Sequence, residues 1–220
     1  RFFTRLSYAG LSLTAAGSQR EKGVGSGAYG SVFGDPSNKV TDSQAYVDLA
    51  YTRSLSTENE VSGRLYWGNY NFNWPANYGD PPVLNQDKGD ASWWGSELKW
   101  VSSWSLRNKL VSGVEYQSNY QQKQWNYDSD PSQPYLNDLR SNQRFGFFLQ
   151  NDFQWTESLN ISLGARYDKI SDFSGELSPR LGMVYRSSEQ TLWKLQYGTA
   201  FRAPNAYERF YDFPGSQTGN

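Results

Sequence analysis

The chain has 220 residues, 37% of them hydrophobic, and with 9 Trp, 16 Tyr and 12 Phe it carries much of its apolar surface on rings; this is room for one domain or at most two. The absence of Cys and His removes disulfide frameworks, thiolate and imidazole metal sites, cysteine nucleophiles and the Ser-His-Asp triad. A net charge of -1, from 21 Lys plus Arg against 22 Asp plus Glu, gives no general electrostatic grip on nucleic acid.

No apolar run reaches the length of a transmembrane helix, and no basic-then-apolar leader opens the chain. A β-barrel escapes that test, because its strands alternate and a hydropathy window averages the alternation away. The first residues, Arg1-Phe2-Phe3-Thr4, already lie in an extended run, and Gly219-Asn220 ends the chain in a loop-like stretch, so the expectation is a piece of a longer protein.

Period-two alternation then recurs along the chain. Ala45, Val47, Leu49 and Tyr51 alternate with Asp48 and Thr52; Val61, Gly63, Leu65 and Trp67 alternate with Ser62, Arg64 and Tyr66. Leu159, Ile161, Leu163, Ala165 and Tyr167 alternate with Asn160, Ser162, Gly164, Arg166 and Asp168, and Leu177 to Tyr185 repeats the pattern. Each is a strand with one greasy and one wet face. Such runs predict about ten strands, near 1–9, 11–22, 41–55, 59–73, 92–102, 108–122, 142–155, 159–172, 176–187 and 191–201.

The predicted links alternate in length. Ala9-Gly10, Ser56 to Glu58, Ser103 to Arg107, Thr156 to Ser158 and Ser188 to Gln190 are short; Gly23 to Val40, Trp74 to Ala91 and Lys123 to Ser141 are long and rich in Gly, Pro, Asn and Asp. Only the link near Ser174-Gly175 departs from that rule. Short turns at one end and long loops at the other fit an outer-membrane barrel with periplasmic turns and extracellular loops. The rings sort by height. Tyr8, Trp100, Trp104, Trp155, Tyr185 and Trp193 fall near short turns, while Trp67, Tyr116 and Tyr167 lie farther along greasy faces. From Leu159 to Tyr167 a strand tilted by about 40° climbs roughly 20 Å, close to the ~25 Å apolar band of such barrels, which predicts two aromatic girdles. The bland counterpart is a soluble sandwich core filled by Trp and Tyr, against which stand the regular Arg and Asp of the other face.

The run YGTAFRAPNAYE (Tyr197 to Glu208), after LGARYD (Leu163 to Asp168) and LSPRLGMVY (Leu177 to Tyr185), resembles the barrel of TonB-dependent outer-membrane receptors. EKGVGSGAYGSVFGDP (Glu21 to Pro36) and FFLQNDFQW (Phe147 to Trp155) are similar to other hairpins of that family. The resemblance spans nearly the whole chain and is most specific in the AFRAPN run. It implies an all-β, antiparallel transmembrane barrel of 22 strands in the Gram-negative outer membrane, of which this chain supplies about ten. It also implies a plug domain inside the barrel, outer-membrane lipid around it, TonB as the energy-coupling partner and uptake of a scarce small molecule or metal chelate such as a ferric siderophore, haem or cobalamin. No enzyme activity and no cofactor is implied, and the plug and the TonB-contacting segment are expected outside these residues.

On this reading the ligand-binding candidates are rings of external loops and the upper lumen: Tyr29, Phe33, Tyr70, Phe72, Trp74, Tyr78, Trp125, Tyr127 and Tyr135. Loop packing or an outer girdle is the commoner use of any one of them. The wet-face charges Arg64, Glu97, Lys99, Glu115, Arg166, Asp168, Arg180 and Lys194 are expected to line the lumen in oppositely charged pairs and to face the plug. Tyr8, Trp67, Trp100, Trp155, Tyr167 and Trp193 are the girdle candidates.

Other patterns carry less. Gly25-Ser26-Gly27-Ala28-Tyr29-Gly30 fits a dinucleotide fingerprint in letters, but a proline at Pro36 and no helical period follow, so it reads as a Gly-rich loop. Glu97, Glu115 and Asp168 have no spacing that fixes a glycosidase pair. Asp80, Asp87, Asp90, Asp128, Asp130 and Asp138 offer hard oxygens for calcium but match no EF-hand spacing and read as solvated charge. Asn160-Ile161-Ser162 fits a glycosylation triplet on a predicted strand, and Pro204 is expected to end the last strand. The alternatives to a receptor segment are a small complete outer-membrane barrel, whose first and last strands must pair, and a soluble carbohydrate-binding sandwich, whose Leu163, Ala165 and Tyr167 must be buried.

Overall fold

The computed structural model describes residues 1–212, so Gly219-Asn220 lie outside the described residues. Ten strands follow in chain order: β1 Phe2–Tyr8, β2 Leu11–Gly23, β3 Lys39–Ser54, β4 Asn59–Tyr78, β5 Val83–Ser105, β6 Asn108–Ser129, β7 Ser132–Thr156, β8 Leu159–Ile170, β9 Glu176–Ser188 and β10 Thr191–Gly198. Each pairs antiparallel with its chain neighbours, in one sheet of order β1 to β10. A short helix, α1 Ala206–Phe210, comes after the last strand.

The links at one end are turns, as expected. At Ala9-Gly10 both central residues have positive φ, 48° and 83°, the mirror-image turn whose twist suits a two-residue hairpin. Gly10 is required there twice over, because a Cβ would run into the Thr52 carbonyl oxygen as well as strain the backbone.

At the other end the structure corrects the sequence reading. Of the three long loops expected there, 24–38 alone stays irregular; Trp74 to Ala91 and Lys123 to Ser141 are mostly strand, with β4 running on to Tyr78, β5 starting at Val83, β6 reaching Ser129 and β7 starting at Ser132. Outside an apolar solvent neither face of a hairpin has to be greasy. The alternation that marks a strand is lost while the backbone pairing persists.

The registers sort the side chains onto two faces. One ladder row runs Tyr8, Leu11, Tyr51, Gly63, Leu98, Val114, Phe147, Tyr167 and Leu177. The row begins beside a short turn and ends near the far ends of β8 and β9, the stagger that tilted strands of a barrel wall produce. Its face is apolar across the sheet and open to the surroundings: Leu6, Leu49, Leu65, Phe145, Leu163, Leu181 and Leu195 are all exposed. Among the described residues only Trp74, Ala76 and Tyr211 are buried apolar residues. A dry sandwich core is therefore absent from the described residues, and Leu163 and Tyr167 are exposed. β1 and β10 are the two edges and do not pair with each other, so these ten strands do not close into a small barrel.

The opposite face is polar and glycine-studded. At Gly95 a Cβ would meet the Tyr66 ring, and at Gly146 it would meet the Arg166 guanidinium, so each glycine seats the large side chain of the neighbouring strand.

Candidate functional site

The polar face carries all eight charges expected there. Register places Arg64, Glu97 and Glu115 in one cross-strand row, with Lys99, Arg166, Asp168, Arg180 and Lys194 on the same side. Their pairing is only partly as expected. Arg166 bonds Glu115 Oε2 at 2.7 Å and Asp168 Oδ2 at 2.8 Å, Arg144 reaches Asp168 at 3.2 Å, and Arg64 pairs with Asp48. Glu97, Lys99, Arg180 and Lys194 form no ion pair among the described residues.

The girdle candidates share the apolar face. Tyr8, Trp67, Trp100, Tyr167 and Trp193 fall on it by register, and Trp155 stacks edge-on to Phe153 at 6.0 Å. Toward the loop end, Trp67 Nε1 donates to the Tyr120 hydroxyl at 2.9 Å, and Trp94, Tyr116 and Phe145 form a chain of rings at 5.2 and 4.8 Å.

Beyond that ring belt, on the polar face, lies a cleft of about 640 Å³. Its walls are Tyr29, Tyr70, Phe72 and Trp74, with Asp87 and Gln124 between them and Tyr207 and Tyr211 across it. A smaller continuation of about 300 Å³ adds Tyr78 and Tyr135. The loop 24–38 is pinned over the tip of β4: Asn38, fully buried, accepts from Trp74 Nε1 and donates to Ser31 Oγ at 2.9 Å, while Asn77 Nδ2 donates to Asp35 at 2.7 Å. This sets Tyr29, at φ 56°, edge-on to Trp74 at 5.7 Å.

The opposite wall comes from beyond β10. Asn205 accepts from Glu208 N at 2.9 Å, and Glu208 Oε2 accepts from Asn205 N at 2.8 Å, the reciprocal cap that starts α1. Arg202 clamps the same carboxylate through two bonds of 2.9 Å. Arg209 bonds Asp172 at 3.0 Å and lies over Phe173 at 4.5 Å. Gln124 Nε2 donates to the Ala206 carbonyl at 3.1 Å and Asn126 Nδ2 to the Tyr211 hydroxyl at 3.1 Å, which holds the segment over β5 and β6.

The electrostatics follow from burial. Asp87 is pushed up to about 6 by desolvation, against donation from Tyr211 and Asn126 that favours its anion. Tyr211 beside it is raised by burial and by the Asp87 charge. The Tyr70 hydroxyl donates to Asp42 at 2.6 Å and, with Arg20, holds that carboxyl below its ordinary range, while burial and Asp42 push Tyr70 up to about 12. Gln124 Oε1 is buried with no hydrogen-bond partner among the described residues.

Six of the nine ring candidates thus meet in one place, and three do not. Phe33 is 81% exposed at the loop surface. Trp125 and Tyr127 lie on the other face, because β6 carries one extra residue between Asn119 and Gln122 relative to its neighbours, and that shift exchanges its faces beyond that point. Asp87, Gln124, Asn126, Tyr207 and Tyr211 are the residues that sequence reasoning missed as site residues. Gln124 and Ala206 are 82 positions apart, and no local pattern connects them. Among the described residues no group of three Asp and Glu gathers as a metal site.

The family model described as TonB dependent receptor-like, beta-barrel matches residues 2–220. The chain belongs to that family. TonB-dependent receptors are Gram-negative outer-membrane transport proteins, not enzymes, which places these ten strands in the outer membrane. No curated protein matches the chain. Among solved structures, the chain is similar to the ferric preacinetobactin receptor of Acinetobacter baumannii, at 10% identity and a TM-score of 0.59, over 81% of this chain and 35% of that one. It is also similar to the ferric enterobactin receptor of Pseudomonas aeruginosa, at 12% identity and a TM-score of 0.50, over 90% of this chain and 40% of that one. These likenesses concern the fold, and the chain spans less than half the length of either receptor.

Proposed function

We propose that the ten strands are part of the barrel wall of a receptor that captures a scarce ligand at its outer mouth and imports it with energy coupled through TonB. The observation that carries this reading is the ring-walled cleft on the polar face, beyond the ring belt. Its volume, about 640 Å³, falls within the range of roughly 300 to 1,000 Å³ usual for small-molecule sites. Tyr29, Tyr70, Phe72, Trp74, Tyr78 and Tyr135 supply flat apolar surface for a chelate or macrocycle. A ferric siderophore is the first ligand to test, with cobalamin second.

The apolar face then meets lipid, and Tyr8, Trp67, Trp100, Trp155, Tyr167 and Trp193 act as interfacial anchors. Arg64, Glu97, Lys99, Glu115, Arg166, Asp168, Arg180 and Lys194 line the lumen and face a plug domain of the same receptor. Because an open sheet edge has no viable place in lipid, further strands complete the wall at β1 and β10. Phe33, Trp125 and Tyr127 are surface rings in this reading, not ligand contacts.

The test is growth of a host strain that depends on the complete receptor. Under iron limitation the double variant Tyr70→Ala, Trp74→Ala should slow TonB-dependent growth at normal levels of assembled receptor. Unchanged iron-limited growth on deleting the whole gene, together with lost growth under cobalamin limitation, would replace the siderophore by cobalamin. Full growth of the double variant under both limitations would remove the cleft from the ligand path.

A further inference from the structure

Two hydrogen-bond acceptors in the cleft wall, the Asp87 carboxyl and Gln124 Oε1, set its polarity between the rings. The Asp87 carboxyl is held between Tyr211 and Asn126, and its ionised form has no cationic partner among the described residues. Gln124 is only 7% exposed, its amide nitrogen is used on the Ala206 carbonyl at 3.1 Å, and its Oε1 is left in the cleft wall without a donor among the described residues. A buried acceptor in that state is costly unless something supplies an N–H. Around these acceptors stand Tyr29, Tyr70, Phe72 and Trp74, whose ring faces carry negative potential and attract cations.

Most of the basic side chains nearby are turned away or occupied. Lys88 and Lys123 contribute to the rim, but their ammonium groups lie on the opposite sheet face, over Tyr127 at 5.6 Å and over Trp125 at 4.6 Å. Arg20 is bonded to Asp42. Arg140 is bonded to Asp138 at 2.9 Å and covered by Phe210 at 4.3 Å, and Arg209 is bonded to Asp172 at 3.0 Å. An anionic ligand would enter facing a carboxylate and an unpaired carbonyl, while Lys22, exposed beside Val40 at the edge of the cleft, is the nearby basic side chain left unengaged among the described residues. That is discrimination by repulsion as much as by attraction.

We infer that the cleft selects ligands that present a protonated amine, or a comparable cluster of N–H donors, beside a flat apolar body, and rejects anionic chelates of the same size. The inference deepens the receptor reading and rests on it. Asp87 and Gln124 Oε1 take the donor group, Trp74 and Tyr70 take the flat body, and Tyr207 and Tyr211 close the far side.

The experiment uses the complete receptor, purified in detergent, and calorimetric titration with three tris-hydroxamate chelators that differ in one pendant group. One carries a free primary amine, one its N-acetyl derivative and one its N-succinyl derivative, each iron-loaded and iron-free. The amine form should bind at least tenfold tighter than the succinyl form, with the acetyl form between them. Asp87→Asn should cut the amine preference several-fold, and Gln124→Met should weaken the amine and acetyl forms. The ligand series in the unaltered protein decides the question even if a variant assembles poorly. Equal or tighter binding of the succinyl form would overturn the inference, and it would leave the siderophore reading in place if iron-loaded forms still bind better than iron-free ones. An amine preference that is the same with and without iron would support the inference and sink the iron reading. No binding by any of the six would overturn both.

Discussion

Arg166 spans two carboxylates, Glu115 at 2.7 Å and Asp168 at 2.8 Å, with side chains only 23%, 19% and 13% exposed. Hydrogen bonds to charged groups in such surroundings contribute about 1.5 to 3 kcal/mol, and losing the cation also leaves Glu115 without an ion-pair partner among the described residues and Asp168 with Arg144 alone. Lys39 and Glu21 make a bond of similar length, 2.8 Å, with side chains 49% and 56% exposed, where solvent and salt screen the pair to about 0 to 1 kcal/mol. Arg166→Ala should therefore lower the urea midpoint of the assembled barrel clearly, and Lys39→Ala should leave it within error. Equal shifts for the two variants would show that burial on the polar face does not strengthen the pair. Both partners of Arg166 were legible as wet-face charges from alternation alone, but the specific pairing was not. It depends on Gly146 leaving room for the guanidinium.

The segment from Arg202 to Tyr211 is the element that turns a sheet into a cleft. Its start is written locally, since Asn205 and Glu208 cap α1 and Arg202 clamps Glu208, so the run that resembled a family also has a mechanical role. Its docking is written nowhere locally, since Tyr211 meets Asn126 across 85 positions. Docking is expected to be proton-linked through Asp87. Burial raises its carboxyl from 3.8 to about 6 while the Tyr211 hydrogen bond pulls the other way, so where the docked segment adds more burial than that bond offsets, the docked state binds the proton more tightly. The docked segment is therefore favoured as pH falls from above 6 toward 3.8, and that contribution is lost as pH rises back through 6. A spin label on Ala203→Cys should become less mobile between pH 7 and pH 5, by a population shift worth roughly 1 to 3 kcal/mol, and Asp87→Asn should flatten the change. Mobility that follows pH equally in both proteins would remove Asp87 as the cause.

Across the whole sheet the apolar face is continuous from β1 to β10, and large rings and leucines stand exposed on it. Exposure on this scale is far beyond what a water-soluble surface tolerates, and it is the normal state of a wall that faces lipid. A charge there should oppose membrane insertion by about 2 to 4 kcal/mol near the bilayer midplane. Ala165→Lys should thus deplete assembled receptor from the outer membrane, whereas Gln196→Lys, on the polar face of β10, should assemble normally. Depletion by Gln196→Lys and tolerance of Ala165→Lys would mean that the faces are assigned the wrong way round.

The sequence by itself determined the class, the strand count and the two faces, because inside the band that meets lipid the period of two is enforced on every strand. It placed the short turns for the same reason, and it put the girdle candidates on the apolar face and the eight charges on the polar one. Only the tertiary structure decided that residues 74–91 and 123–141 are largely paired strands, since beyond the band neither face has to be apolar and the pattern that reveals a strand disappears. It alone decided that Trp125 and Tyr127 point away from Trp74, since the irregularity after Asn119 shifts the pairing without any residue signature. It alone brought Asp87, Gln124 and Tyr211 together, because a cleft closed by a returning segment is made of contacts between strands and loops far apart in the chain, and local periodicity carries no record of them.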